Sequence, residues 1–98
     1  MVSAKYSEVY QKIRDMGDKL KAAGKQGPSN DEQLKLYAYA KVAEGKSIDE
    51  AKQPGMFDLA GKAKHKEWKK VAESGITAEQ AEQEYIKLAE ELLAKYDN

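Results

Sequence analysis

The stretch Pro54-Gly-Met-Phe-Asp-Leu-Ala-Gly-Lys-Ala-Lys-His-Lys-Glu-Trp68 is a turn that leads directly into a lysine-rich helix. The opening Pro-Gly pair marks the turn. Helical spacing follows, because Lys64, Trp68 and Val71 recur at i, i+4 and i+7 and therefore share one face. We predict a helix over residues 61–73, ended by Ser74-Gly75.

The connection before this helix is unusually long. Residues 45–60 form a segment of sixteen residues, within which Ser47 and Glu50 predict no more than a short turn. A connection of this length can cross the molecule, so the helices on either side of it can run parallel. Long ordered connections are also often functional.

Three further helices are predicted by apolar spacing and by capping signals. The first covers residues 3–23 and ends before Gly24. The second follows Ser29 and extends to residue 44 or 45, and the last follows Thr77 and extends to residue 96. Each of the last two begins with the spacing of a capping box. No stretch alternates as a strand does, so the predicted fold class is all-α, with the apolar faces buried in a four-helix bundle.

Composition indicates one soluble domain over residues 1–98, because no linker divides the chain. Hydrophobic residues make up 41% and charged residues 35%, which is too apolar for disorder and too polar for a membrane-embedded protein. There is no cysteine and no apolar leader, so we expect a cytoplasmic protein. Neither an apolar surplus nor a heptad seam indicates more than a monomer.

Charge is balanced overall but uneven along the chain. Seventeen basic and seventeen acidic residues lack the excess typical of nucleic-acid binders, so no nucleic acid is expected as a partner. Residues 62–70 nevertheless contain five lysines against the single Glu67, a local excess of +4. Such a patch suits one compact anion, and a phosphorylated ligand is the natural candidate.

Most catalytic chemistry is excluded by residue type. His65 is the only histidine, it lies among lysines, and no nucleophile and base pair is evident. Metal-ligand spacings are missing, and so is a glycine-rich phosphate loop followed by Lys-Ser/Thr. We therefore predict neither enzyme activity nor a cofactor.

The remaining candidates are side chains that project from helices. Leu34, Tyr37 and Lys41 recur at i, i+3 and i+7 on the second helix, so a phenol and an ammonium group can converge with Lys64 on one anion. Spacing alone leaves open that Tyr37 is a half-buried core residue and Lys41 a surface residue. Tyr85 lies on the apolar stripe of the last helix, where packing alone can account for it.

These residues resemble the acyl-CoA-binding protein family. The resemblance extends from about residue 28 to the C-terminus, and covers the first helix by general pattern only. The Pro-Gly-Met turn and the Gly-Lys-Ala-Lys run are its most specific parts. The other matching residues are Leu36, Tyr37, Lys41, Asp58, Trp68, Thr77, Ala81, Tyr85 and Tyr96.

The resemblance implies an up-down-down-up four-helix bundle that binds long-chain acyl-CoA esters reversibly, as a carrier and pool former. It implies that Tyr37 and Lys41 contact the adenine and 3′-phosphate, that Lys64 supplies a second cation, and that Tyr85 lies beside the adenine. Arg14 matches a basic residue of the first helix. Acyl-CoA-using enzymes and transient membrane contacts are the partners implied.

Three positions depart from the family pattern, namely Ala40 in place of a tyrosine, His65 in place of a tryptophan and Gln33 in place of an apolar residue. They weaken the expected acyl groove, which we place along the second helix and the Met56–Phe57 region. The alternative is a helical interaction module that docks an acidic protein or an anionic membrane. Its basic face consists of Lys62, Lys66, Lys69 and Lys70, which the residues alone explain most simply as a solvated face.

Overall fold

The computed structural model describes residues 2–51 and 53–97, and these residues form four helices without a strand. The helices are α1 (Ala4–Ala22), α2 (Asn30–Ala43), α3 (Leu59–Glu73) and α4 (Ala78–Tyr96). The predicted all-α fold is therefore confirmed. Helix α1 is one residue shorter at each end than predicted, because Ser3 and Ala23 are its flanking caps.

Both predicted capping boxes are present. At the start of α2 the Ser29 hydroxyl accepts the Glu32 N–H at 3.2 Å, and the Glu32 carboxylate accepts the Ser29 N–H at 2.8 Å. Thr77 and Gln80 make the same reciprocal pair at α4, with both distances 3.0 Å. Each box satisfies two backbone donors that the first helical turn leaves without a partner.

Helix α3 begins at Leu59, two residues before the predicted start. The reason is Asp58, whose carboxylate accepts the Gly61 N–H at 2.9 Å and caps the helix. A Cβ atom at Gly61 would collide with this carboxylate, so the glycine permits the cap. Further back, the predicted short turn is present, since the Glu50 N–H donates to the Ser47 carbonyl at 3.3 Å.

Contacts along the helices give their relative directions. Helix α1 runs parallel to α4, because Ser3 donates to Glu82 at 2.8 Å and Lys19 pairs with Asp97 at 3.4 Å near the other ends. Residues near the N-terminus of α1 thus contact residues near the N-terminus of α4. The core of this pair contains Tyr6 against Tyr85.

Helix α2 has the opposite direction to α4. Glu32 at its start lies 3.5 Å from the Tyr96 hydroxyl, and Ala43 at its end shares a small cleft with Ala78 and Glu79. Helices α2 and α3 are parallel, as Tyr37 approaches Lys64 and Tyr39 approaches Ser74. The bundle is therefore up-down-down-up, and the helices on either side of the long connection run parallel, as predicted.

The core has two parts. The larger cluster packs α1, α2 and α4 around Met16 and Leu92, each 1% exposed. The smaller cluster, Ala38 with Trp68 and Val71, joins α2 to α3. Because Trp68 packs directly on α2, the side chain of Lys64, one turn earlier on α3, is held close to Tyr37.

Candidate functional site

The ring of Tyr37 lies against two ammonium groups from two helices. Lys41 Nζ is 5.3 Å from the ring centre, and Lys64 Nζ is 5.5 Å from it. Lys41 reaches the ring from one turn along α2, whereas Lys64 reaches it from α3. The structure therefore brings together the three residues that the sequence analysis singled out for an anion. We call Tyr37, Lys41 and Lys64 the Tyr37 cluster.

Trp68 packs against the Tyr37 cluster. Its ring meets the Tyr37 ring edge-on, with centres 6.3 Å apart at 82°, and Lys41 Nζ lies 5.9 Å from the indole. Trp68 itself is only 6% exposed, and its indole N–H is buried without a hydrogen-bond partner in the described structure. Both rings attract the Lys41 ammonium group and the Tyr37 ring attracts that of Lys64, which keeps the two cations near the rings.

The Tyr37 cluster carries positive charge that no described carboxylate neutralises. The ion pairs among residues 2–51 and 53–97 involve Lys5, Lys12, Lys19 and Lys95 instead. Two cations on one ring with no carboxylate partner produce a local positive potential. Such a pair can hold a phosphate group by charge-assisted hydrogen bonds, and the nearby phenol can add a further bond.

An open groove of about 800 Å³ runs along α3 beside Leu34 of α2, and its lining does not include Tyr37, Lys41 or Lys64. Leu34 and Ala63 provide apolar surface, and the lysine stems can extend it. Leu34 is half-buried and lies one turn before Tyr37, so the groove begins next to the cluster. The full set of lining residues is Leu34, Ala63, Lys66, Glu67, Lys69, Lys70, Glu73 and Ser74.

Met56 and Phe57 do not line this groove. Their side chains are 75% and 91% exposed, and their predicted part in sheltering an apolar ligand stays a prediction. The Asp58 cap accounts for this exposure, because it fixes the turn before α3 with these side chains directed outward.

A second groove, of about 460 Å³, lies between the end of α1 and the start of α2. Its apolar surface includes Met16, Leu20 and Leu36. Gln33 lines it and donates its side-chain amide to the Pro28 carbonyl at 2.9 Å. The polar residue at this position therefore ties the loop before α2 to the helix.

The structure does not bring Tyr85 and Arg14 to the Tyr37 cluster. Tyr85 is 2% exposed and packs on Tyr6 and Tyr10, with ring centres 4.9 and 5.9 Å away. Arg14 is exposed on α1, which packs on α4. Their predicted ligand contacts stay predictions, while the observed role of Tyr85 is packing in the core.

The tyrosine cluster of Tyr6, Tyr10 and Tyr85 was not predicted as a unit, although the i, i+4 spacing of Tyr6 and Tyr10 was its signal. The Tyr6 hydroxyl donates to the Glu44 carboxylate at 3.0 Å. Burial and this bond raise the pKa of Tyr6 far above its ordinary value, and burial also raises the pKa of Tyr85. Both phenols therefore stay neutral in the folded protein.

The other two residues that depart from the family pattern, Ala40 and His65, pack in or against the core. Ala40 is 8% exposed in the larger core cluster. His65 is half-buried and meets the Trp68 ring edge-on at 6.4 Å, so it forms a side wall of the smaller cluster.

Within residues 2–51 and 53–97, no three His, Cys, Asp or Glu side chains are grouped to hold a metal ion. No helix in the same ranges is long and apolar enough to cross a bilayer.

Residues 3–89 match the family model described as acyl CoA binding protein. An acyl-CoA-binding protein homolog of Drosophila melanogaster is 41% identical over 96 residues, covering 98% of this chain and 99% of the relative. Homolog 1 of Caenorhabditis elegans is 48% identical over 73 residues, which covers 74% and 80%. The acyl-CoA-binding protein of Saccharomyces cerevisiae is 35% identical over 98 residues and covers all of both chains.

Proposed function

Because the chain belongs to the acyl-CoA-binding protein family, we propose that it binds long-chain acyl-CoA esters reversibly and acts as their carrier and pool former. The observation that carries the proposal is the Tyr37 cluster, in which two ammonium groups without a described carboxylate partner adjoin an open groove. A charged head and an apolar tail then have separate places on one surface.

The head of the ligand is assigned to the Tyr37 cluster. Lys41 and Lys64 provide two point charges for the 3′-phosphate, and the Tyr37 phenol provides a hydrogen bond and a flat wall for the adenine. Charge-assisted hydrogen bonds contribute about 1.5–3 kcal/mol each. These contacts set the orientation of the ligand and its preference for CoA over other thiols.

The acyl tail is assigned to the groove between α2 and α3. Leu34 and Ala63 form its apolar contact, together with the methylene stems of Lys66 and Lys70. Burial of a chain of about fifteen carbons at roughly 0.8 kcal/mol per methylene gives up to about 12 kcal/mol before ordering losses. The tail therefore provides most of the affinity, even where the groove covers only part of it.

The proposed activity is binding without catalysis. Thioester hydrolysis needs a nucleophile activated by a base. The single histidine, His65, packs against Trp68. The ligand is expected to be released chemically unchanged.

Isothermal titration calorimetry with palmitoyl-CoA, free CoA and free palmitate tests this function. We expect palmitoyl-CoA to bind at least a hundredfold more tightly than CoA, since only a few buried methylenes are needed for that ratio. Palmitate should bind weakly, because it lacks the phosphates. Equal affinity for CoA and palmitoyl-CoA would contradict tail burial, and release of free thiol during the titration would contradict a pure carrier.

A further inference from the structure

A shallow cleft of about 410 Å³ lies where the start of α4 meets the end of α3. Its lining combines an aromatic ring from α2, a carboxylate from α4 and the backbone at the end of α3. The six lining residues are Tyr39, Ser74, Gly75, Ile76, Gln80 and Glu84. We call it the Tyr39 cleft. Each of the three components attracts positive charge, so the cleft has the chemistry of a cation site.

The negative charge of the Tyr39 cleft comes from carboxylates without a described partner. Glu84 is exposed and makes no ion pair with another described residue, and neither does the half-buried Glu67 of α3. Burial, together with the charges of Glu84 and Glu67, raises the pKa of the Tyr39 phenol. Both carboxylates therefore lie close enough to act on this ring, and the field at the cleft is negative.

The end of α3 adds to this negative field. Ser74 is the C-cap of the helix, and Gly75 follows with a φ of +82°, the left-handed conformation in which helices commonly end. The last carbonyl groups of a helix carry partial negative charge and lack donors within the helix. A Cβ atom built at Gly75 would meet nothing within 4 Å. The backbone of this turn is therefore accessible to a donor from outside.

A second cleft, of about 230 Å³, continues the first between α2 and α4 and shares Tyr39 and Glu84 with it. Its other lining residues are Lys35, Lys87, Leu88 and Glu91. With Glu84 included, two glutamates balance its two lysines, so only the Tyr39 cleft has an excess of negative charge. A small cation needs one cleft, whereas an extended chain segment can occupy both. The elongated shape therefore favours a polypeptide.

We infer that the Tyr39 cleft binds an arginine side chain from an exposed segment of a partner protein. A guanidinium group is planar, so it can stack on the Tyr39 ring while its N–H groups donate to Glu84 and to carbonyl groups at the end of α3. A lysine ammonium group offers neither the flat face nor the paired donors. The residues that flank the arginine then lie over the second cleft, against Leu88.

This inference does not rest on acyl-CoA binding. Tyr37 and Tyr39 are two positions apart on α2, so their side chains do not face the same side. The Tyr37 cluster carries two cations, whereas the Tyr39 cleft carries carboxylates and takes the opposite charge. Of the residues that line the groove along α3, the cleft shares Ser74 alone. A partner can therefore dock here while the Tyr37 cluster stays accessible.

A nuclear magnetic resonance titration of the isotope-labelled, ligand-free full chain tests this inference at about 150 mM salt. The probe is a capped peptide that alternates glycine and arginine, and the matched peptides carry lysine or the neutral citrulline instead. We expect amide shifts centred on residues 39, 74–76 and 84, with the arginine peptide bound about fivefold more tightly than the lysine peptide. The citrulline peptide should cause no shift, because it keeps the shape of arginine without its charge.

Two variants identify the groups that hold the guanidinium. Glu84→Gln should weaken binding of the arginine peptide about tenfold, since a charge-assisted hydrogen bond is lost. Glu90→Gln is the matched control, because Glu90 is on the same helix but pairs with Lys5 of α1 at 3.3 Å. Tyr39→Leu should weaken binding about threefold through the loss of stacking. The amide spectrum of each variant verifies its fold.

Each contrary outcome overturns the inference. No shift with the arginine peptide, or equal binding of the arginine and lysine peptides, would exclude guanidinium recognition. Equal losses in Glu84→Gln and Glu90→Gln would show that only net charge matters. If N-acetylarginine amide bound as tightly as the peptide, the cleft would serve a small cation and not a partner protein. Palmitoyl-CoA binding, measured separately, is expected to be the same in Glu84→Gln and wild type, so failure of one proposal is distinguishable from failure of the other.

Discussion

Lys41 and Lys64, which belong to different helices, place their ammonium groups 5.3 and 5.5 Å from the centre of the same ring, that of Tyr37. Like charges at such positions repel each other. They are tolerated because the aromatic rings attract both and water screens both. An anion that entered between them would relieve the repulsion, which supports the proposed phosphate site.

Lys64→Ala should weaken CoA and palmitoyl-CoA binding by the same factor, about tenfold or more, because it removes a head contact made by both ligands. Lys62→Ala is the matched control, as its ammonium group is bonded to the Met56 carbonyl instead. Calorimetry on both variants with both ligands measures the effect. Unchanged affinity in Lys64→Ala would remove this lysine from the site.

Gly61→Ala should destabilise the protein although alanine is the better helix former. The added Cβ displaces the Asp58 carboxylate from its cap, and a lost cap costs about 1 kcal/mol. In an Asp58→Ala background there is no cap to lose, so Gly61→Ala should then stabilise by about 0.5–1 kcal/mol. Urea unfolding of wild type, Gly61→Ala, Asp58→Ala and the double variant measures the four free energies of unfolding. If Gly61→Ala changed the stability in the same direction with and without Asp58, the coupling would be disproved.

Glu32 should make stability depend on pH at the acidic end. The hydrogen bond that the Glu32 carboxylate accepts from the Ser29 backbone N–H is the main cause of its lowered pKa in the folded state. The stabilisation is therefore present above the ordinary pKa of 4.5 and is lost as pH falls through the folded value. Glu32→Gln should be less stable than wild type at neutral pH, with the difference shrinking in acid.

The capping box at the start of α4 allows the reverse substitution as a control for this prediction. Gln80 holds the same place there without a charge, so Gln80→Glu should add stability at neutral pH that disappears in acid. Thermal melts between about pH 3 and pH 7 measure both effects. A constant difference between wild type and Glu32→Gln over this interval would show that the carboxylate charge is irrelevant.

Tyr6→Phe should lower the free energy of unfolding by about 0.5–1.5 kcal/mol at neutral pH, since it removes the bond to Glu44 and keeps the ring. The pKa of Tyr6 is raised, so its contribution is full below pH 10 and is lost as pH rises further. Wild type should therefore lose stability in alkali more steeply than Tyr6→Phe. Tyr10→Phe, whose hydroxyl has no described hydrogen bond, is the control, and parallel alkaline curves would contradict the assignment.

Local signals were enough to predict most of the fold. The Ser29 and Thr77 boxes depend on residues within one turn, so α2 and α4 began where the sequence indicated. The start of α3 was predicted two residues late, at Gly61, although Asp58 is a favourable N-cap residue whose carboxylate caps the helix at the Gly61 N–H.

The site was only partly predictable. Tyr37 and Lys41 are neighbours by spacing, but the approach of Lys64 depends on the parallel packing of α2 and α3 through Trp68. The exposure of Phe57 could not be predicted, because an apolar residue in a turn looks the same whether it is buried or presented to solvent. Tyr85 shows the converse, since its periodic position correctly placed it in the core.

The central claim is that Lys41 and Lys64 hold the 3′-phosphate of an acyl-CoA. Calorimetry with palmitoyl-CoA and its 3′-dephospho analogue, on wild type and Lys64→Ala, tests it most directly. The account predicts that wild type binds the dephospho ligand at least tenfold more weakly, while Lys64→Ala discriminates much less between the two. Equal discrimination by both proteins, or none by wild type, would contradict it.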